Sequence, residues 1–262
     1  YPDMLFRNNG NGTFTEMASE AGVEGQRYWS MGSSFADIDL DGDLDLYVIN
    51  YLLQSRFITN EANETIGFRH ICYTNHFYDN KGNGTFQEIT ISSGADNEGC
   101  ALATTFTDFD ADGDQELYIA NDFGAWVKPN ALFDKAHDSG RYIDIADSID
   151  LDIGIYGMGI AAGDPNRDGL FDYYVANIGP NALHIQQSNG LFTEEATDRS
   201  IDNTFSGDFQ ATSWGVVFFD YNNDMHQDLY VSNGFIGAAD FLNTASDDFN
   251  KLYEGDVTLN FT

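Results

Sequence analysis

Apolar residues in this chain come in short runs, each bounded by Asp, Asn and Gly, and four of the runs are near copies. They read LYVIN at 46–50, LYIAN at 117–121, YYVAN at 173–177 and LYVSN at 229–233. Tyr and β-branched residues in brief runs predict strands rather than helices. Each follows a polar stretch, and before that stretch lies another strand-like run, such as the one at 33–36. A second pattern alternates apolar and polar residues on both sides of a glycine turn. It appears as LFRNNGNGTFTEM at 5–17, FYDNKGNGTFQEI at 77–89, LFDKAHDSGRYIDIA at 132–146 and LHIQQSNGLFTEEA at 183–196, with KLYEGDVTLNF at 251–261 as a degenerate copy. Asn-Gly and Ser-Gly supply the positive φ that a twisted hairpin needs. The expected unit is therefore strand, polar loop, strand, hairpin: a four-stranded antiparallel meander.

The polar stretches carry the chemistry. They read DIDLDGDLD from Asp37, DFDADGDQE from Asp108, DPNRDGLFD from Asp164 and DYNNDMHQD from Asp220. Oxygen-bearing side chains stand at positions one, three and five, a turn residue at six and a carboxylate at nine. Ca²⁺ takes six to eight oxygens at about 2.3–2.6 Å from carboxylates, amides, carbonyls and water, and this spacing offers them. Without a cation the crowding is costly, since like charges about 4 Å apart repel by roughly 1 kcal/mol even in water. The alternative is that the stretches are ordinary polar turns.

In the first loop Asp37, Asp39, Asp41 and Asp45 are expected to ligate through side chains and Asp43 through its carbonyl. The second loop offers Asp108, Asp110, Asp112, Asp114 and Glu116, the third Asp164, Asn166, Asp168 and Asp172, and the fourth Asp220, Asn222, Asp224 and Asp228. Up to four Ca²⁺ ions are expected. In the fourth loop Met225 replaces the turn glycine and must accept a positive φ or change the turn. An EF-hand is excluded, because it needs a glutamate at position twelve and flanking helices; here position twelve is Val48, Ile119, Val175 or Val231.

Four-stranded units recurring at this interval predict a β-propeller, all-β, with the calcium loops between strands one and two of each blade. The blades run over 29–91, 100–147, 157–197 and 213–262, and residues 1–20 supply the last two strands of an earlier blade. So the whole of 1–262 reads as one segment, an incomplete part of a larger propeller. Met31, Leu102, Met158 and Trp214, each followed by a small residue, are expected to pack between tapered blades. Asn50, Asn121, Asn177 and Asn233 are expected to bond backbone at strand ends.

Charge narrows the partners. With 43 acids against 11 bases the net charge is −32, which makes nucleic acid and anionic membrane poor partners and favours cations, basic proteins or a saline habitat. No stretch has the roughly 18 apolar residues of a membrane span. Loops of this kind suit the millimolar Ca²⁺ outside cells, so an extracellular, cell-surface or periplasmic location is expected. In such a compartment Cys72 and Cys100 would form a disulfide; elsewhere they would be two buried thiols.

The stretches LFRNNGNGTFTEMASEAGV, FADIDLDGDLDLYVIN, YGMGIAAGDPNRDGLFDYYVANIG and TSWGVVFFDYNNDMHQDLYVSNG resemble FG-GAP/VCBS repeats, in the manner of the ASPIC/UnbV, cartilage acidic protein-like group. The resemblance implies a calcium-loop propeller similar to the integrin α head, usually of about seven blades, with secreted or surface-exposed members in adhesion-like roles. The chain departs from that pattern at Met225, at Glu116 and in a third hairpin without the Asn-Gly turn. Its missing blades would come from further chain or from other subunits.

Two insertions, 51–76 and 234–250, lie on the face opposite the metal loops. The first holds Arg56, Arg69, His70 and Cys72. Long loops on a rigid scaffold often bind, so a protein or glycan contact is expected here, against the alternative of solvated decoration. The favoured function is a non-catalytic adhesion-type interaction module. The competing class is a propeller domain accessory to, or part of, a carbohydrate-active lyase or dehydratase. The five histidines are scattered and no nucleophile or zinc motif occurs, which disfavours catalysis. Asn63, within the first insertion, is the better glycosylation candidate, since the sequons at Asn11 and Asn83 fall in repeated turns.

Overall fold

The computed structural model of the chain describes residues 2–206, 209–234, 236, 242–244, 248–256 and 258–262. The chain folds as antiparallel sheets packed face to face in sequence order. The first sheet holds Ser30–Ala36, Asp45–Asn50, His76–Asn80 and Phe86–Glu88. The second holds Cys100–Thr107, Glu116–Asp122, Ala131–Lys135 and Tyr142–Asp144. The third holds Gly159–Gly163, Asp172–Ala176, Ala182–Gln186 and Phe192–Glu194. A fourth has three strands, Ser213–Phe219, Asp228–Asn233 and Lys251–Tyr253, extended by a bridge between Gly255 and Phe261. Phe6–Asn8 and Phe14–Glu16 form the leading hairpin. All-β architecture from four-stranded meanders is thus what the pattern of apolar runs dictates.

Second strands are buried along their whole length in the first three sheets, as their unbroken apolar runs require. Tyr47, Tyr118 and Tyr174 are fully buried. Neighbouring sheets share cores: Ile49 and Phe77 pack with Ile119 and Phe133, Tyr118 and Leu132 with Tyr173 and Phe192, and Tyr174 and Leu183 with Leu229 and Val231. First strands of successive sheets run side by side, and Ser34 Oγ donates to the carbonyl of Thr104 at 2.9 Å across that seam. A Cβ on Gly159 would stand 2.2 Å from the carbonyl oxygen of Trp214, so only glycine lets these strands approach.

Two expectations are corrected, and one feature is added to them. Met158 is buried, but Met31 and Trp214 are 42 % and 37 % exposed, so packing between sheets does not hold for them. Met31 borders a 380 Å³ cavity beside Asp3, Met4 and Leu5, where the leading hairpin has only two strands to lay against the first sheet. The first insertion is not a loop. Leu52–Gln54 pairs with Ile71–Cys72, and Phe57–Thr59 with Thr65–Phe68, making a β-ribbon. Its tip turns at Asn63, φ 61°, where the Asn60 side chain accepts from the N–H groups of Ala62 and Glu64. Finally, one helical turn follows each of three hairpins, at Ala18–Ala21, Thr90–Ser93 and Ala146–Ile149. Gly22, Gly94 and Asp150 end them in the left-handed region. The second insertion is described only in part: residues 235, 237–241 and 245–247 lie outside the described residues.

The ribbon is tied down by a disulfide between Cys72 and Cys100. Phe68 and His70 are buried against Phe123, at ring distances of 4.8 and 4.3 Å. Rings two positions apart on the ribbon, Phe68 and His70, therefore hold the insertion against Phe123 at the end of the second sheet's second strand.

Candidate metal centre

Each acidic loop joins the first and second strands of its sheet. Two backbone positions per loop turn left-handed. Position six is Gly42, Gly113, Gly169 or Met225, with φ of 95°, 97°, 88° and 70°, so Met225 accepts the positive φ rather than changing the turn. Position four, which the sequence did not flag, is Leu40, Ala111, Arg167 or Asn223 at φ of 59–62°. For L-residues each such position costs about 1–2 kcal/mol.

In three loops the first carboxylate closes the turn. Asp37 accepts from the N–H of Asp41 and Gly42, Asp164 from Asp168 and Gly169, and Asp220 from Asp224 and Met225, at 2.8–3.1 Å. The closing carboxylate is buried and clamps the loop to the sheet. Asp45 accepts from the N–H of Ile38 and of Asn80, and Asp228 from Tyr221 and Gly255.

The second and third loops break this arrangement, and there the polar atoms left over test the fit of a cation. Glu116 is fully buried; one oxygen accepts from the Phe109 N–H at 2.9 Å and Oε1 has no partner. Asp108 Oδ1 is likewise buried without one. Asp108, Asp110 and Glu116 can each present an oxygen within 4.8 Å of the others. Burial pushes Glu116 up to about 8, the nearby Asp110 charge adding to it. In the third loop Asp172 Oδ1 accepts from Gln186 while Oδ2 is orphaned. Position two is Pro165, which has no N–H to give; that signal was in the sequence. Burial pushes Asp172 up to about 7.

Buried carboxylates with oxygens to spare suit a hard divalent cation. Among the described residues two further groupings form, Asp37 with Asp39 and Asp41, and Asp112 with Asp114 and His137. His137 Nε2 lies 3.2 Å from Asp112. Asp43 keeps its side chain outside the first grouping, and Asn166 and Asn222 turn their amides onto Asp168 and Asp224 at 3.1 and 2.9 Å. Cross-links join the loops: Lys135 Nζ donates to the Ile38 carbonyl at 2.8 Å and pairs with Asp114 at 3.4 Å, and Gln227 accepts from the Asp164 N–H.

At the opposite edge, Asn50, Asn121, Asn177 and Asn233 donate to the carbonyls of Thr74, Pro129, Pro180 and Phe249. Their own N–H groups donate to a second set of asparagines, Asn75, Asn130, Asn181 and Asn250.

Comparison with known proteins places this geometry. The family model for the FG-GAP-like repeat matches residues 2–48, 66–119 and 164–231, spans that include all four acidic loops. Cartilage acidic protein 1 of Xenopus tropicalis is 24 % identical over 212 residues, and that of Mus musculus 25 % over 216, each alignment covering 78 % of this chain and 31 % of the relative. The chain thus spans about a third of the length of the curated relatives it matches. Among solved structures, a lectin of Agrocybe aegerita, described as recognising non-reducing terminal N-acetylglucosamine, is 13 % identical with a TM-score of 0.38, over 99 % of this chain and 72 % of that one. The repeated loops, their sheets and the family match together make the conclusion plain: the chain belongs to the FG-GAP-like repeat family.

Proposed function

We propose that the acidic loops each hold Ca²⁺, through the side chains of positions one, three, five and nine, and that the sheets are blades of a calcium-stabilised β-propeller segment. Its role is that of a non-catalytic interaction module outside the cell, meeting a protein or glycan through the insertion-bearing face. The observation that carries the metal reading is the pair of buried, unpartnered oxygens on Asp108 and Glu116. A cation there would satisfy both and offset the desolvation of two carboxylates. The Cys72–Cys100 disulfide supports an oxidising compartment.

Thermal melts test it. Excess chelator should lower the melting temperature, and Ca²⁺ should restore it, since a ligand of the native state stabilises by about 2.7 kcal/mol per site at a hundredfold excess over Kd. Glu116→Gln should reverse sign between the two conditions. In chelator at pH 7 the variant should be the more stable, by on the order of 2 kcal/mol, because a buried carboxylate has been removed; in Ca²⁺ it should be the less stable. A melting temperature indifferent to chelator would overturn the metal reading. A glycan and matrix-protein array probed in Ca²⁺ tests the interaction role, and a blank array counts against it.

A further inference from the structure

Beyond the ladder asparagine, each second strand continues into a residue that differs from repeat to repeat: Tyr51, Asp122 and Ile178 in the first three sheets. The fold brings these three equivalent positions together as lining of one cavity of 180 Å³. The ribbon lines it with Phe57, Phe68 and His70, Phe123 and Tyr156 add two more rings, and Ile236 and Leu242 of the second insertion also border it. Phe57, 58 % exposed, stands at the mouth.

Among the described residues Asp122 is the only carboxylate of this lining, and it is 4 % exposed. Its oxygens accept from the Tyr51 hydroxyl and, at 2.8 Å, from the Phe123 N–H. Among the described residues no cation pairs with it. Phe123 is held at φ 59°, a conformation that costs a bulky side chain about 1–2 kcal/mol and concentrates at binding sites. That strain sets its ring among those of Phe68, His70 and Tyr156, at 4.8, 4.3 and 5.9 Å.

Aromatic faces around a buried carboxylate, on a chain of net charge −32, are complementary to one kind of ligand. We propose that this pocket binds an organic cation, taking an alkylammonium head against the rings of Phe68, Phe123 and Tyr156 with Asp122 as counter-ion. The inference deepens, and rests on, the reading of the insertion-bearing face as the binding face. A bare metal ion would find too few oxygens here, and an anion would meet the field of the whole molecule.

The probe is choline, titrated calorimetrically into the full chain in Ca²⁺ beside its uncharged tert-butyl isostere. Choline should bind saturably and about tenfold or more tighter than the isostere. Asp122→Asn should weaken choline at least about tenfold, and Phe123→Leu should weaken choline several-fold more than it weakens the isostere. Melting temperatures check that each variant folds; should Asp122→Asn fail to fold, Phe123→Leu and the isostere comparison in the unaltered chain decide. Equal affinity for the two probes, or no saturation by choline, overturns the proposal. A positive array with no choline binding sinks this inference alone, whereas a blank array as well sinks the interaction role beneath it.

Discussion

At the scale of single residues, the carboxylates of this protein differ by what the backbone offers them. Asp45 and Asp228 each take two N–H donors, whereas Asp172 loses one to Pro165 and Glu116 holds one oxygen free. One missing N–H therefore separates a structural clamp from an oxygen available to a cation. His184 is a different case: it is 2 % exposed with both ring nitrogens unpartnered, and burial drops it to about 4. A base whose folded pKa lies below its unfolded value keeps full stability above about pH 6.5 and loses it as pH falls through 4, here by roughly 3 kcal/mol. Replacing His184 by Leu should remove that part of the acid loss. Denaturant titrations of the variant and the unaltered chain should diverge between pH 6.5 and 4 and run parallel above; parallel behaviour throughout would show the ring to be hydrated.

At the scale of elements, the sheets were legible because each second strand opens with an apolar run and the hairpins of the first three sheets, like the leading one, carry their own turn glycine. The ladder asparagines at 50, 121, 177 and 233 were legible for the same reason, since they stand at a fixed place in the repeat. Their partners were not. Asn75, Asn130, Asn181 and Asn250 lie 25, 9, 4 and 17 residues downstream, and a spacing that varies this much leaves no period to read. The ribbon from Leu52 to Cys72 escaped for a related reason: its strands are two to four residues long and gain order from packing on the second sheet. The disulfide at its base spans 28 residues. Replacing both cysteines by Ser should cost about 3–4 kcal/mol in the chain-entropy model. It should also raise amide exchange in the ribbon more than in the sheets; uniform exchange would mean that the aromatic packing alone holds it.

For the whole molecule, charge is the dominant fact. With 43 acids and 11 bases, the chain repels itself, and within the first two acidic loops carboxylate oxygens can lie within 4.8 Å of one another. Lys135 offsets a little of this by reaching from the second sheet to the first loop. In chelator, raising NaCl from about 20 mM to about 0.5 M should raise the melting temperature by screening that repulsion. In Ca²⁺ the gain should be much smaller, and equal gains would place the repulsion outside the loops.

The sequence alone determined the repeating unit, because a nine-residue loop, its flanking strands and a glycine turn depend on neighbours close along the chain. It determined as well which side chains crowd each loop and where insertions interrupt the repeat. Only the tertiary structure decided which oxygens are left without donors at Asp108 and Glu116, how the asparagines pair, and that Tyr51, Asp122 and Ile178 meet in one cavity. Those outcomes depend on donors and rings brought in from distant strands by the face-to-face packing of sheets, and no local pattern records them.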